Sequence, residues 1–246
     1  MSAQTLTNSF DYNLRYYELD QDKFLKPMAL LNILQDVATL DAEFRGFGAH
    51  YTFAKNLGWF LLKYNIQIYK NLPDMEKFSI KTESRGATKL FAYRDFYLYY
   101  NGELFGKVAS LWALIDFNTK RMVKPLENLE SINEYEKREG DLEFGKIPQI
   151  GAVSAQKEFH IRYDDLDVNR HVNNATYITW ALEALDYEFR STHRVKSIEM
   201  NFKKEVTYGV NILSSVEILP ETLTTVHAIK NDVTDEELFI AKIEWE

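Results

Sequence analysis

The chain contains no cysteine in its 246 residues. That absence excludes a disulfide framework, a thiolate zinc site and a cysteine nucleophile together. Also lacking is any apolar run near the ~20 residues that a membrane helix needs. The first twenty residues, MSAQTLTNSFDYNLRYYELD, have neither the apolar centre of a signal peptide nor the Arg- and Ser-rich make-up of a transit peptide. The expectation is a cytoplasmic protein that does not enter a membrane. A broad phosphate-binding surface is disfavoured, though a local basic patch is not: 29 basic against 37 acidic residues leave a net charge of −8, which argues against nucleic acid as a partner.

What the chain does have is apolar material. At 46% hydrophobic and 14% aromatic residues it can build a packed core without metals or disulfides. Its length fits one large domain or two of roughly 100–150 residues. An internal repeat selects the second. RYYELDQDKFLKPMALLNILQD, from Arg15, and RYDDLDVNRHVNNATYITWALE, from Arg162, align at one constant spacing, pairing Tyr16 with Tyr163, Leu19 with Leu166, Asp20 with Asp167, and Asp36 with Glu183. Further on, a second constant spacing pairs Glu103 with Glu237, Ile66 with Met200 and Ile68 with Phe202, so the first copy has an insertion around Arg45 to Lys55. A repeat this long means duplicated domains, since solenoid units run to ~20–50 residues.

Each copy has the same order of elements. A mostly apolar helix is expected over Met28 to Phe44, and again over Asn174 to Phe189, where Ala175, Tyr177, Ile178, Trp180, Ala181, Leu182 and Leu185 leave only a thin polar stripe. Strands are expected near Trp59–Tyr69, Phe78–Thr88, Phe91–Tyr100 and Glu103–Asp116, with Asn101-Gly102 as a hairpin turn. The second copy repeats them near Ser197–Phe202, Asn211–Leu219, Thr224–Asn231 and Glu237–Trp245. A buried helix followed by an antiparallel sheet is α+β, with the helix wrapped by the sheet. The expected organisation is an N-terminal domain over 1–119, a linker over 120–156 with one short helix near Leu129 to Arg138, and a C-terminal domain over 157–246.

Unusual polar residues concentrate just before the second helix, in DDLDVNRHVNNATYITWALE. Asp167, Asn169 and His171 alternate, which on an extended backbone points three side chains one way. Asn173 or Asn174 can cap the helix, whose first backbone N–H groups suit an oxyanion hole. Singly, each residue has an ordinary reading: Asp167 and Asn169 as turn formers, His171 as a satisfied buried histidine. The sister copy weighs against that, because it keeps Asp20 but has Asp22, Phe24 and Asn71 where the second has Asn169, His171 and Glu205. His50, His160, His193 and His227 show no metal-ligand spacing, and neither metal nor cofactor is expected.

The stretch resembles the second-domain motif of the acyl-acyl-carrier-protein (ACP) thioesterases of plants and bacteria, DxNxHVNNxxYxxWxLE. Here it reads Asp167, Asn169, His171, Val172, Asn173, Asn174, Tyr177, Trp180, Leu182 and Glu183. SIEMNFKKEVTYG resembles the family strand that supplies a glutamate, which falls on Glu205. RYYELD and GWFLLKYNIQI also resemble the family, so the likeness covers nearly the whole chain. It implies a tandem (double) hot-dog fold whose C-terminal domain hydrolyses the thioester of a fatty acyl-ACP, and whose degenerate N-terminal domain supplies acyl-pocket walls, with Met28, Leu31, Leu34 and Trp59 as candidates. Plant members typically carry a cysteine directly after the glutamate; here that position is Val206, so a thiol nucleophile is excluded. Water attack is expected, activated by Glu205 or His171, with Asp167 orienting the histidine and Asn169 donating to the carbonyl oxygen. The acidic carrier protein is the expected partner, and Lys203, Lys204, Arg190, Arg194 and Lys196 form either a solvated face or its docking site. A monomer and a homodimer are both compatible with the sequence. An acyl-CoA thioesterase, a hydroxyacyl dehydratase and a non-catalytic acyl-chain sensor are the competing readings.

Overall fold

The computed structural model describes residues 7–246; residues 1–6 of the expected first domain lie outside the described residues. The chain divides into two compact units, one of the residues up to Leu25 with Asn32–Glu143, the other of Lys26–Leu31 with Phe144–Glu246.

The elements follow the repeat. In chain order the first copy has Thr7–Asn13 (β1), Pro27–Phe44 (α1), Ala49–Ala54 (α2), Leu57–Ile68 (β2), Lys77–Ala87 (β3), Phe91–Tyr100 (β4) and Glu103–Asp116 (β5). The short elements Arg121–Val123 (β6) and Pro125–Asn128 (α3) come next. The second copy has Ala155–His160 (β7), Asn174–Leu182 (α4), Tyr187–Thr192 (α5), Val195–Phe202 (β8), Asn211–Leu219 (β9), Thr224–Asn231 (β10) and Glu237–Trp245 (β11). In the first unit the antiparallel order is β1-β3-β4-β5-β2, with β6 beside β5; in the second it is β8-β11-β10-β9-β7.

The copies agree down to register. Tyr12 pairs with Phe78 and Asn13 with Lys77, just as Phe159 pairs with Ile212 and His160 with Asn211. The next bond along is also shared: Leu14 N–H donates to Glu76 O at 2.8 Å, and Ile161 N–H to Val210 O at 3.0 Å. Asn101 and Gly102 both adopt positive φ, 48° and 82°, the backbone that an Asn-Gly hairpin turn requires.

Each helix is anchored to its own sheet by polar as well as apolar contacts. Asp41 of α1, fully buried, accepts from Asn8 of β1 at 2.6 Å, from Arg94 of β4 at 2.5 Å and from Arg45 at 2.7 Å. α4 packs on β9 and β10, and Ser214 of β9 donates its hydroxyl to Trp180 O at 3.0 Å. Around these anchors lie Ile66, Ile80, Phe96 and Leu98 in the first unit, and Ile178, Ile229, Phe239 and Ile243 in the second, all buried. Each such side chain contributes about 1.5–3 kcal/mol on leaving water.

Two expectations are corrected. The helix expected over Asn174 to Phe189 is broken into α4 and α5, because Asp186 starts a new helix by accepting the Phe189 N–H at 2.7 Å. The short helix expected near Leu129 to Arg138 is absent; α3 lies earlier, with Pro125 at its first position. Residues 133–135 instead lend their backbone to β3. Ala87 N–H donates to Asn133 O and Tyr135 N–H to Ala87 O, at 2.8 and 2.9 Å. At the bulge beside them Gly86 has φ +95°, and a Cβ there would stand 2.6 Å from Asn133 O, so only glycine fits. Arg85, almost fully buried, pairs with Asp95 and binds both Asp141 oxygens at 2.7 and 3.0 Å. Burial alone raises a carboxyl pKa, but Arg85 and the Arg138 N–H outweigh it and hold Asp141 down to about 2.

Candidate active site

The second copy's polar cluster forms on a tight turn, not the extended backbone that its alternation suggests. The chain enters through the 3-10 turn Tyr163–Asp165 and is closed by an antiparallel bridge between Leu166 and Val172. Inside that bridge Asp167 N–H donates to His171 O at 2.8 Å, and Arg170 N–H to Asp167 O at 3.0 Å. Asp167 Oδ1 accepts the Asn169 N–H at 2.8 Å and the His171 N–H at 3.3 Å, while Oδ2 accepts from the Asn169 side-chain amide at 3.3 Å. Arg170 takes φ 67°, and Val168 is 97% exposed at the tip. An aspartate opening such a turn is what the ordinary reading required of it.

Glu205 comes from elsewhere. β8 ends at Phe202, and the irregular stretch after it is fixed at both sides: Lys203 and Lys204 N–H both donate to Leu238 O, and Val172 N–H donates to Val206 O at 2.9 Å. This last bond ties the stretch to the turn. Glu205 Oε1 stands 3.3 Å from His171 Nδ1, with the two side chains 46% and 33% exposed. The acid that meets the imidazole is therefore Glu205; Asp167, expected as the histidine's partner, is engaged with the turn's own amides. Composition and spacing do not link Glu205 to His171; the family resemblance does, and the Val172 to Val206 bond brings the two stretches together.

The start of α4 can be accounted for donor by donor. Asn173 caps it, its side chain accepting the Ala175 N–H at 2.9 Å. Thr176 N–H donates to Asn173 O and Asn173 N–H to Asp165 O. Asn174 is then the residue at this terminus whose backbone N–H and side-chain amide have no partner among the described residues.

The candidate wall residues scatter in exposure. Leu31 and Leu34 are fully buried and Met28 is 36% exposed. Trp59 packs on a cluster of Phe47, Leu57, Ala92 and Leu114, with its indole N–H donating to Phe47 O at 2.9 Å. Among the basic residues considered for docking, Lys203 and Lys204 are paired with Glu237 and Glu236. Among the described residues no group of three His, Cys, Asp or Glu side chains is placed to hold a metal ion, and no helix is long and apolar enough to cross a membrane.

A family model for the acyl-ACP thioesterase N-terminal domain matches residues 6–132, and one for the C-terminal domain matches residues 149–246. Oleoyl-acyl carrier protein thioesterase 2, chloroplastic, of Arabidopsis thaliana is 28% identical over 228 residues, 82% of this chain and 62% of that protein. The chain thus spans about three fifths of the length of such relatives. A Lactobacillus plantarum structure assigned as an oleoyl thioesterase superposes with a TM-score of 0.89 at 27% identity, covering 99% of this chain and 97% of its own. The acyl-ACP thioesterase of Bacteroides thetaiotaomicron gives 0.86 at 23% identity, covering 98% of each chain.

Proposed function

The chain belongs to the acyl-ACP thioesterase family, and from that premise we propose that it hydrolyses fatty acyl-ACP to free fatty acid and holo-ACP, ending acyl-chain growth. The observation that carries this reading is the partly exposed pair of His171 and Glu205, on the turn that leads into α4 at Asn174. In this reading Glu205 orients the imidazole through Nδ1, and His171 takes a proton from water through Nε2. The water oxygen bonds to the thioester carbon, Asn174 and the Asn169 amide stabilise the developing oxyanion, and the C–S bond then breaks. The proton held by His171 passes to the departing sulfur. Asp167 keeps the turn that presents the histidine. A thiol acyl-enzyme has no place, because the residue after Glu205 is a buried valine.

We read the two copies as two hot-dog domains, the first lacking the constellation and the second carrying it. A cytoplasmic setting belongs to this reading and rests on composition. The wall role of Met28, Leu31, Leu34 and Trp59 predicts altered chain-length preference when these side chains are trimmed. The test is incubation with acyl-ACPs of graded chain length and with the matching acyl-CoAs, measuring the acids released. Faster turnover of the acyl-CoAs would refute the carrier-protein assignment; appearance of an enoyl product would point to a dehydratase.

A further inference from the structure

Tyr177 carries a hydroxyl that packing does not call for. It lies on α4 at 2% exposure, its ring stacked on Phe239 at 5.6 Å and edge-on to Phe202 and Trp180. Phenylalanine would fill the same space. At the equivalent position of α1 the first copy has Leu30, also buried, so an aliphatic side chain serves there. A buried hydroxyl is unfavourable unless it is bonded.

The bond it makes is to Lys204 O, at 3.4 Å, the carbonyl of the residue preceding Glu205. Lys204 lies in the irregular stretch after β8, which is held by two kinds of tether. One is the pair of N–H bonds from Lys203 and Lys204 to Leu238 O, which the first copy also makes, from Tyr69 and Lys70 to Phe105 O. The other is the Tyr177 hydroxyl, which the first copy lacks. The position of Glu205 is Asn71 in that copy, so the hydroxyl and the carboxylate are lost together. Burial raises the phenol pKa above its usual value, and the nearby Glu205 charge acts in the same direction, which puts the carboxylate within electrostatic range of the hydroxyl.

We infer that Tyr177 is a positioning residue: by holding the Lys204 carbonyl from inside the core it aims the Glu205 carboxylate at His171 Nδ1. The inference deepens the hydrolytic reading above and rests on it for its kinetic arm. In that arm, Tyr177→Phe lowers kcat about five- to tenfold, the size of one lost hydrogen bond, while KM and the thermal midpoint hold. Because the hydroxyl acts through Glu205, Tyr177→Phe combined with Glu205→Gln is no slower than Glu205→Gln alone. Additive losses, or a kcat equal to wild type, would overturn the inference. A second arm needs no substrate. The NMR resonances of the His171 ring move when Glu205→Gln removes its partner, and Tyr177→Phe moves them the same way. Ring resonances that respond to Glu205→Gln and ignore Tyr177→Phe would equally sink it. Wild-type protein inert toward acyl-ACP would defeat the reaction reading and leave this second arm to decide the positioning role.

Discussion

Asp20 and Asp167 accept the same pair of backbone amides in two turns of one shape, though only the second turn carries a histidine. Asp20 Oδ1 takes the N–H groups of Asp22 and Phe24, both at 2.9 Å, as Asp167 Oδ1 takes those of Asn169 and His171. Each turn has a basic residue at positive φ in the same place, Lys23 at 66° and Arg170 at 67°. Bridges Leu19 to Leu25 and Leu166 to Val172 close them. A residue retained where there is no histidine to serve is retained for the backbone.

Replacing Asp20 or Asp167 with alanine should therefore destabilise the fold by similar amounts, about 1–2 kcal/mol for a lost cap of this kind. Only the change at Asp167 should also lower turnover. Urea unfolding of both variants beside acyl-ACP hydrolysis checks this; full stability of Asp167→Ala would deny it the structural role.

Removing His171 or Glu205 acts on chemistry, not folding. Each alanine variant should lose at least ~10²-fold in kcat, the usual contribution of a positioned general base or its partner. Both side chains are partly exposed, so thermal midpoints should stay near wild type. Single-turnover hydrolysis with matched circular dichroism would separate the two effects, and near-wild-type rates in both variants would refute the mechanism.

Acid should weaken the second unit through His227. This side chain is fully buried on β10, its Nε2 2.8 Å from the Thr225 hydroxyl, and burial pushes its pKa down to about 3. An unfolded histidine titrates near 6.5, so between about pH 6.5 and 3 the unfolded chain binds a proton that the native chain refuses, and stability falls as pH falls, on the order of 1.4 kcal/mol per pH unit. His227→Gln should flatten this slope in urea midpoints measured from pH 7 to 5. An unchanged slope would mean the imidazole ionises in place.

Arg85 holds the segment 134–143 against β3, donating to Asp95, Asp141 and the Glu136 carbonyl. Arg85→Ala leaves two buried carboxylates without their cation, a loss of about 3–5 kcal/mol. Arg85→Met with Asp95→Asn and Asp141→Asn should recover part of it. Thermal melts of the single and triple variants provide the measurement, and a neutral single variant would show the network to be idle.

Much of this molecule was legible in the sequence because its signals are local and doubled. Runs rich in Tyr, Phe, Ile and Val and the Asn101-Gly102 turn gave four strands in each copy within a residue or two of those formed, while β1 and β6 were not expected. The turn at Asp167 misled because alternating polar residues have the same spacing in an extended chain and in a closed loop. The break between α4 and α5 was present as an N-cap signal at Asp186, hidden by apolar neighbours on both sides. That Glu205 and His171 share a site came from the family resemblance alone; their direct contact depends on the path after β8 and the Val172 to Val206 bond, which no local pattern encodes.

That the two turns share a backbone and differ in what hangs from it makes the first turn a vacant frame for the second's side chains. The first copy carries Asp22, Phe24 and Asn71 where the second carries Asn169, His171 and Glu205, and its turn is closed by the same kind of bridge. Asp22→Asn and Phe24→His would hang the second turn's asparagine and histidine on the first without asking that turn's main chain to move.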